Sequence, residues 1–97
     1  MNKYVKEVIA NFDFERVHMA MKALKWTWWN SKSDDKVPST SELVMCATDL
    51  LERVQEHKDS PYTISTGGFV AHKEDNVIAL SFEIDSWDVC MEDNYND

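Results

Sequence analysis

The stretch Val77-Ile78-Ala79-Leu80-Ser81-Phe82-Glu83-Ile84-Asp85 alternates between apolar and polar residues. Successive side chains of a strand point to opposite faces, so a period of two predicts a half-buried strand over residues 77–87. Ile78, Leu80, Phe82 and Ile84 would line its dry face, and Ala79, Ser81, Glu83 and Asp85 its wet one. Upstream, residues 62–72 are rich in Thr, Ile, Phe and Val, and the polar residues 73–76 read as a turn. Together the two runs predict an antiparallel hairpin. Gly67-Gly68 lies inside the first run. Because glycine weakens a strand interior, the pair is expected to mark a bulge or bend.

An isolated hairpin is marginal in water, so its apolar face needs a cover. The first sixty residues supply it. Val5, Val8, Ile9 and Phe12 have helical spacing and predict a short helix over roughly 2–11. Asn11 or Asp13 is positioned to cap a second helix running to about Trp29, with Phe14, Val17, Met21, Leu24 and Trp28 on one stripe. Residues 30–38 have no apolar period and read as an exposed loop. Ser39, followed three places later by Glu42, forms a capping box. The helix it starts carries Leu43, Val44, Ala47, Leu50, Leu51 and Val54 and extends to about His57. Asp59, Ser60 and Pro61 end it. The expected fold is therefore α+β: two long antiparallel helices and a short N-terminal helix packed on a two-stranded hairpin. Residues 1–87 would form one domain, and the acidic tail 88–97 would fray.

The chain has 97 residues, enough for one domain, and its 43% hydrophobic content argues against disorder. Its net charge of −8 is uneven: +1 over residues 1–48 and −9 over residues 49–97. A surface of that sign repels phosphate backbones, which excludes ordinary nucleic-acid binding and suits either solubility or a basic protein partner. Residues 1–12 lack the apolar core of a secretion signal, being interrupted by Lys3, Lys6 and Glu7. No run approaches the roughly 20 apolar residues of a membrane span. The reduced cytoplasm is the expected compartment, with Cys46 a small core residue and Cys90 in acidic surroundings that would raise its thiol pKa.

Trp26-Thr27-Trp28-Trp29 is the most unusual segment. At 100° per residue Trp28 joins the buried stripe, whereas Trp26 points to the opposite side with Met19, and Trp29 lies nearby. Either the helix is buried on two sides, or Met19, Trp26 and Trp29 form an aromatic contact patch for a partner or a planar ligand. His18 lies near Trp29 on such a helix and reads as a solvated side chain or an accessory to that patch. His18, His57, His72, Cys46 and Cys90 show no paired metal-ligand spacing, so neither a metal nor a cofactor is expected. Thr66-Gly67-Gly68-Phe69 is too short for a phosphate loop. With no nucleophile motif, the residues point away from an enzyme. Glu83, Asp85 and Asp88 read as a solvated acidic face rather than an acid–base pair.

The run from Asn11 to His18, the segment Ala23 to Trp29, the helix start at Pro38-Ser39-Thr40 and the strand Thr66-Gly67-Gly68-Phe69 resemble small uncharacterised acidic proteins of tailed bacteriophages. The resemblance covers most of residues 10–87. It implies a phage protein acting in the host bacterial cytoplasm, and small acidic phage proteins often act by binding. The leading expectation is a non-enzymatic accessory protein that binds and modulates a host protein, such as one of antiviral defence. Met19, Trp26 and Trp29 would supply affinity, and Glu83, Asp85 and Asp88 would steer a basic partner. Two alternatives stand beside it. One is a nucleotide sponge that stacks a base on the tryptophans, with Arg16, Lys22 and Lys25 near the phosphates. The other is a structural homo-oligomer, and a homodimer through sheet edges fits that case.

Overall fold

The computed structural model of the chain describes residues 2–24, 37–84 and 89–96, with backbone alone at 24, 84 and 89–96. Three helices are followed by four strands: α1 (Lys3–Asn11), α2 (Phe14–Leu24), α3 (Thr40–Glu56), β1 (Tyr62–Thr66), β2 (Phe69–Glu74), β3 (Val77–Ile84) and β4 (Val89–Asn96). The α+β class holds, and α1 and α3 lie within a residue or two of their expected bounds.

Side chains start each helix by accepting from N–H groups that have no helical partner. The Asn2 side chain accepts from Tyr4 N–H at 2.8 Å, and Asp13 Oδ1 accepts from Arg16 N–H at 3.1 Å. At α3 the box is complete. Glu42 N–H donates to Ser39 Oγ at 3.2 Å, and Ser39 N–H donates to Glu42 Oε1 at 3.0 Å. The Ser39 N–H that donates to the carboxylate, and second to it the Ser39 hydroxyl, hold the Glu42 carboxyl below its ordinary range. Their contribution is present above the unfolded carboxylate's pKa and is lost as pH falls through the lowered folded value. Ser39→Ala should lower stability by about 1 kcal/mol at neutral pH. Urea midpoints measured at neutral and acidic pH check both the size and the sign.

The sheet is an antiparallel meander in the order β1-β2-β3-β4, not a two-stranded hairpin. Two features of the backbone account for the difference. Gly67 and Gly68 both have positive φ, at 60° and 93°, and Thr66 faces Phe69 across them. They form a two-residue hairpin turn rather than a bulge, because such turns need backbone that L-residues with a Cβ avoid. The apolar run 62–72 is therefore two strands. Downstream, Val89–Asn96 pairs along β3, so the expected frayed tail contains a strand. Its acids and asparagines hid it from a reading based on β propensity. The second two-residue turn, at 75–76, places Asp75 at φ 54°, and its N–H donates to Ser60 Oγ at 2.7 Å.

Helices cover one face of this sheet. α3 packs on β1, β2 and β3, while α1 packs on β3, β4 and α3. Val5, Val8, Phe12, Phe14, Val17, Met21, Leu43, Ala47, Leu50, Leu51 and Val54 meet Phe69, Ala71, Ile78, Leu80 and Phe82 in one core. The expected antiparallel pairing of the two longer helices is not what forms. Thr40 Oγ donates to Glu15 Oε1 at 3.2 Å, so the first turns of α2 and α3 meet, where an antiparallel pair would bring the end of α2 to the start of α3. The expected continuation of the second helix from Lys25 to Trp29 lies outside the described residues.

Candidate functional site

With the helices on one face, the strand alternation gives the sheet a second face on which no described helix packs. Register places Thr63, His72 and Ala79 in one row across it, Ser65, Val70 and Ser81 in the next, and Glu74 and Val77 at one end. Glu83 stands at the other end, where its N–H donates to the Gly68 carbonyl at 2.9 Å. Val70, His72, Ala79 and Ser81 are half-buried at the centre, Val77 is half-buried at the end, and Glu74 and Glu83 are exposed at the two ends. Among the described residues of β1, β2 and β3 this face carries two carboxylates and no lysine or arginine. The backbone register continues to β4, with Glu92 opposite Ser81.

One polar relay crosses the face. His72 Nδ1 bonds Thr63 Oγ1, and its Nε2 lies 3.4 Å from Glu74 Oε2. Hydroxyl, imidazole and carboxylate stand in the order used for acyl transfer. All three are on the sheet surface turned away from the helices, where water competes for each bond. The arrangement locks β1 to β2.

A groove of about 600 Å³ runs between α3 and β1, lined by Leu50, Arg53, Glu56, His57, Tyr62, Ile64, Ser65 and Thr66. His57 stacks on Tyr62 at 3.5 Å between ring centroids with the planes 4° apart, which sets the groove's end. Arg53 pairs with Asp49 along the exposed side of α3 at 3.4 Å.

Two of the residues expected to contact a partner are placed by the structure. Met19 is 66% exposed on α2, and Glu83 is exposed on the open face of β3. The sheet lies between them, since Met19 belongs to the helical layer and Glu83 faces away from it, so they do not form one patch. Trp26, Trp29, Asp85 and Asp88 lie outside the described residues, as does Lys25. His18 is not a solvated side chain. It is half-buried, and its Nδ1 bonds the Pro38 carbonyl at 2.8 Å. The Cys46 thiol is pushed up by burial and by the nearby Asp49 carboxylate, so it stays protonated and weakly nucleophilic at neutral pH.

Glu74, Arg53 and Glu56 had no signal of their own in the sequence, and the spacing of His57 and His72 gave no hint of where the fold puts them. Glu74 joins the face of Glu83 only once the turn at 75–76 sets the register. Among the described residues no group of three or more His, Cys, Asp or Glu side chains is placed to hold a metal, and no helix is long and apolar enough to cross a membrane. Comparison of the chain with protein-family models, with curated proteins and with solved structures finds no match.

Proposed function

We propose that this chain is a non-enzymatic binding protein whose open sheet face docks on a basic surface of a partner protein. The observation that carries this reading is the face on which no described helix packs: half-buried Val70 and Ala79 at its centre, half-buried Val77 beside Glu74 at one end, Glu83 at the other, and no lysine or arginine among its described positions. Apolar surface at the centre of a contact supplies affinity, and charge at the rim steers encounter and selects the partner. The excess of acids in the second half of the sequence extends the same field. It also disfavours nucleic acid as the partner. The resemblance to phage proteins supports a host protein in the bacterial cytoplasm as the partner, with modulation of that protein as the outcome.

Glu74→Lys with Glu83→Lys reverses the rim without touching the core. Bacterial proteins captured by the wild-type chain and by this variant are compared by quantitative mass spectrometry at low and high salt. The expected result is a basic protein retained by the wild type, released by salt, and captured about tenfold more slowly by the variant. Equal capture of the same proteins by both chains would sink the assignment of this face.

A further inference from the structure

The two edges of the sheet differ in a way that points to self-association. β4 carries Glu92 and Asp93 in its sequence, and like charges brought together oppose edge pairing. β1, Tyr62-Thr63-Ile64-Ser65-Thr66, carries no charge at all and follows Pro61 directly. It also borders the groove, whose charged lining is one cation, Arg53, and one carboxylate, Glu56. In a chain of net charge −8, this is a neutral window where two copies meet with little repulsion.

The ladder fixes the register of such a meeting. Thr66 and Phe69 close a two-residue turn, so Tyr62, Ile64 and Thr66 spend their backbone bonds on β2. The N–H and C=O groups of Thr63 and Ser65 therefore face away from β2. Antiparallel pairing of β1 with a second β1 about Ile64 sets Thr63 opposite Ser65 of the other copy, and each such pair exchanges both N–H···O bonds. Ile64 meets its own counterpart over the groove, and Tyr62 meets Thr66. Hydroxyls face hydroxyls on the open side, apolar groups meet on the groove side, and no like charges oppose.

We infer that the β1 edge and its groove bind a second copy of this chain, giving a two-fold dimer with one continuous sheet. The axis stands perpendicular to the sheet, so both helical layers lie on one side and both open faces on the other. This goes beyond the proposed docking role and uses a different surface. It also has the opposite salt dependence: two acidic chains associate more tightly as salt screens them, whereas docking on a basic partner weakens.

The test is sedimentation equilibrium of the full chain up to about 500 µM at low and high salt, with amide hydrogen exchange at both ends of the concentration range. A mass rising to twice that of the chain, favoured by salt, is expected, with slower exchange at Thr63 and Ser65 in the concentrated sample. Ser65→Pro removes an outward N–H that β2 does not use, and Ile64→Lys sets two cations together on the axis. Each should weaken the dimer by about tenfold or more. A wild-type chain that stays monomeric at the highest concentration overturns the inference. So does an assembly in which Thr63 and Ser65 exchange as fast as in dilute solution, whatever the variants do.

Discussion

Replacing Phe69 with alanine is expected to cost about 3–5 kcal/mol, enough to leave a domain of this size largely unfolded under mild conditions. Phe69 is fully buried, and its ring joins the two layers of the fold. Its centroid lies 4.9 Å from that of Phe82 in an edge contact, 6.0 Å from Phe14 and 6.2 Å from Phe12. Phe12 and Phe14 are themselves 5.0 Å apart across the corner between α1 and α2. Removing the Phe69 ring thus opens a cavity bordered by both helices and by β3. The site also resists collapse, because the Gly67-Gly68 turn holds the backbone immediately before it. Urea denaturation followed by circular dichroism measures the loss, and Phe69→Leu should fall between alanine and wild type. A midpoint for the alanine variant close to wild type would mean that the four rings do not act as one packed unit.

Lys73→Met should cost about 1.5–3 kcal/mol, a large effect for a residue that is only half-buried. Lys73 occupies a position of β2 in register with Tyr62 and Ile78, on the face turned towards the helices. Its ammonium donates to the His57 carbonyl at 2.7 Å and the Gln55 carbonyl at 3.3 Å. Carbonyls at a helix C-terminus lack helical partners, and the helix dipole favours a cation there. Methionine keeps the apolar stem and removes only the charge and its bonds. The loss should appear in the denaturation midpoint and as faster amide exchange at the end of α3 and in β1. Since those two elements wall the groove, self-association through β1 should weaken as well. Unchanged stability and exchange would mean that water serves these carbonyls as well as Lys73 does.

Much of this fold is written in local patterns. The alternation from Val77 to Ile84 and the stripe Leu43, Ala47, Leu50, Leu51 and Val54 identify one strand and one helix, because burial on a single face imposes a period on each element. The capping box at Ser39 and Glu42 is local chemistry within four residues and was legible for the same reason. Glu83 was readable as exposed from its place in the alternation.

Other features depend on residues that are remote in sequence. Gly67-Gly68 suits a bulge or a turn equally well, and the choice falls to the turn because β2 is covered on its inner face by α3 and paired on its other edge with β3. Val89–Asn96 has too little apolar periodicity to announce a strand, but the free edge of β3 offers it a row of backbone partners. Lys73 reads as a turn residue until the sheet carries it beneath the end of α3. The sequence alone determined an acidic α+β chain with a capped central helix and a half-buried strand, since those properties follow from neighbours a few residues apart. Only the tertiary structure decided the register that gathers Glu74 and Glu83 on one open face and leaves β1 as an uncharged edge, because register is set by which backbone groups remain to be paired once the helices have covered the other side.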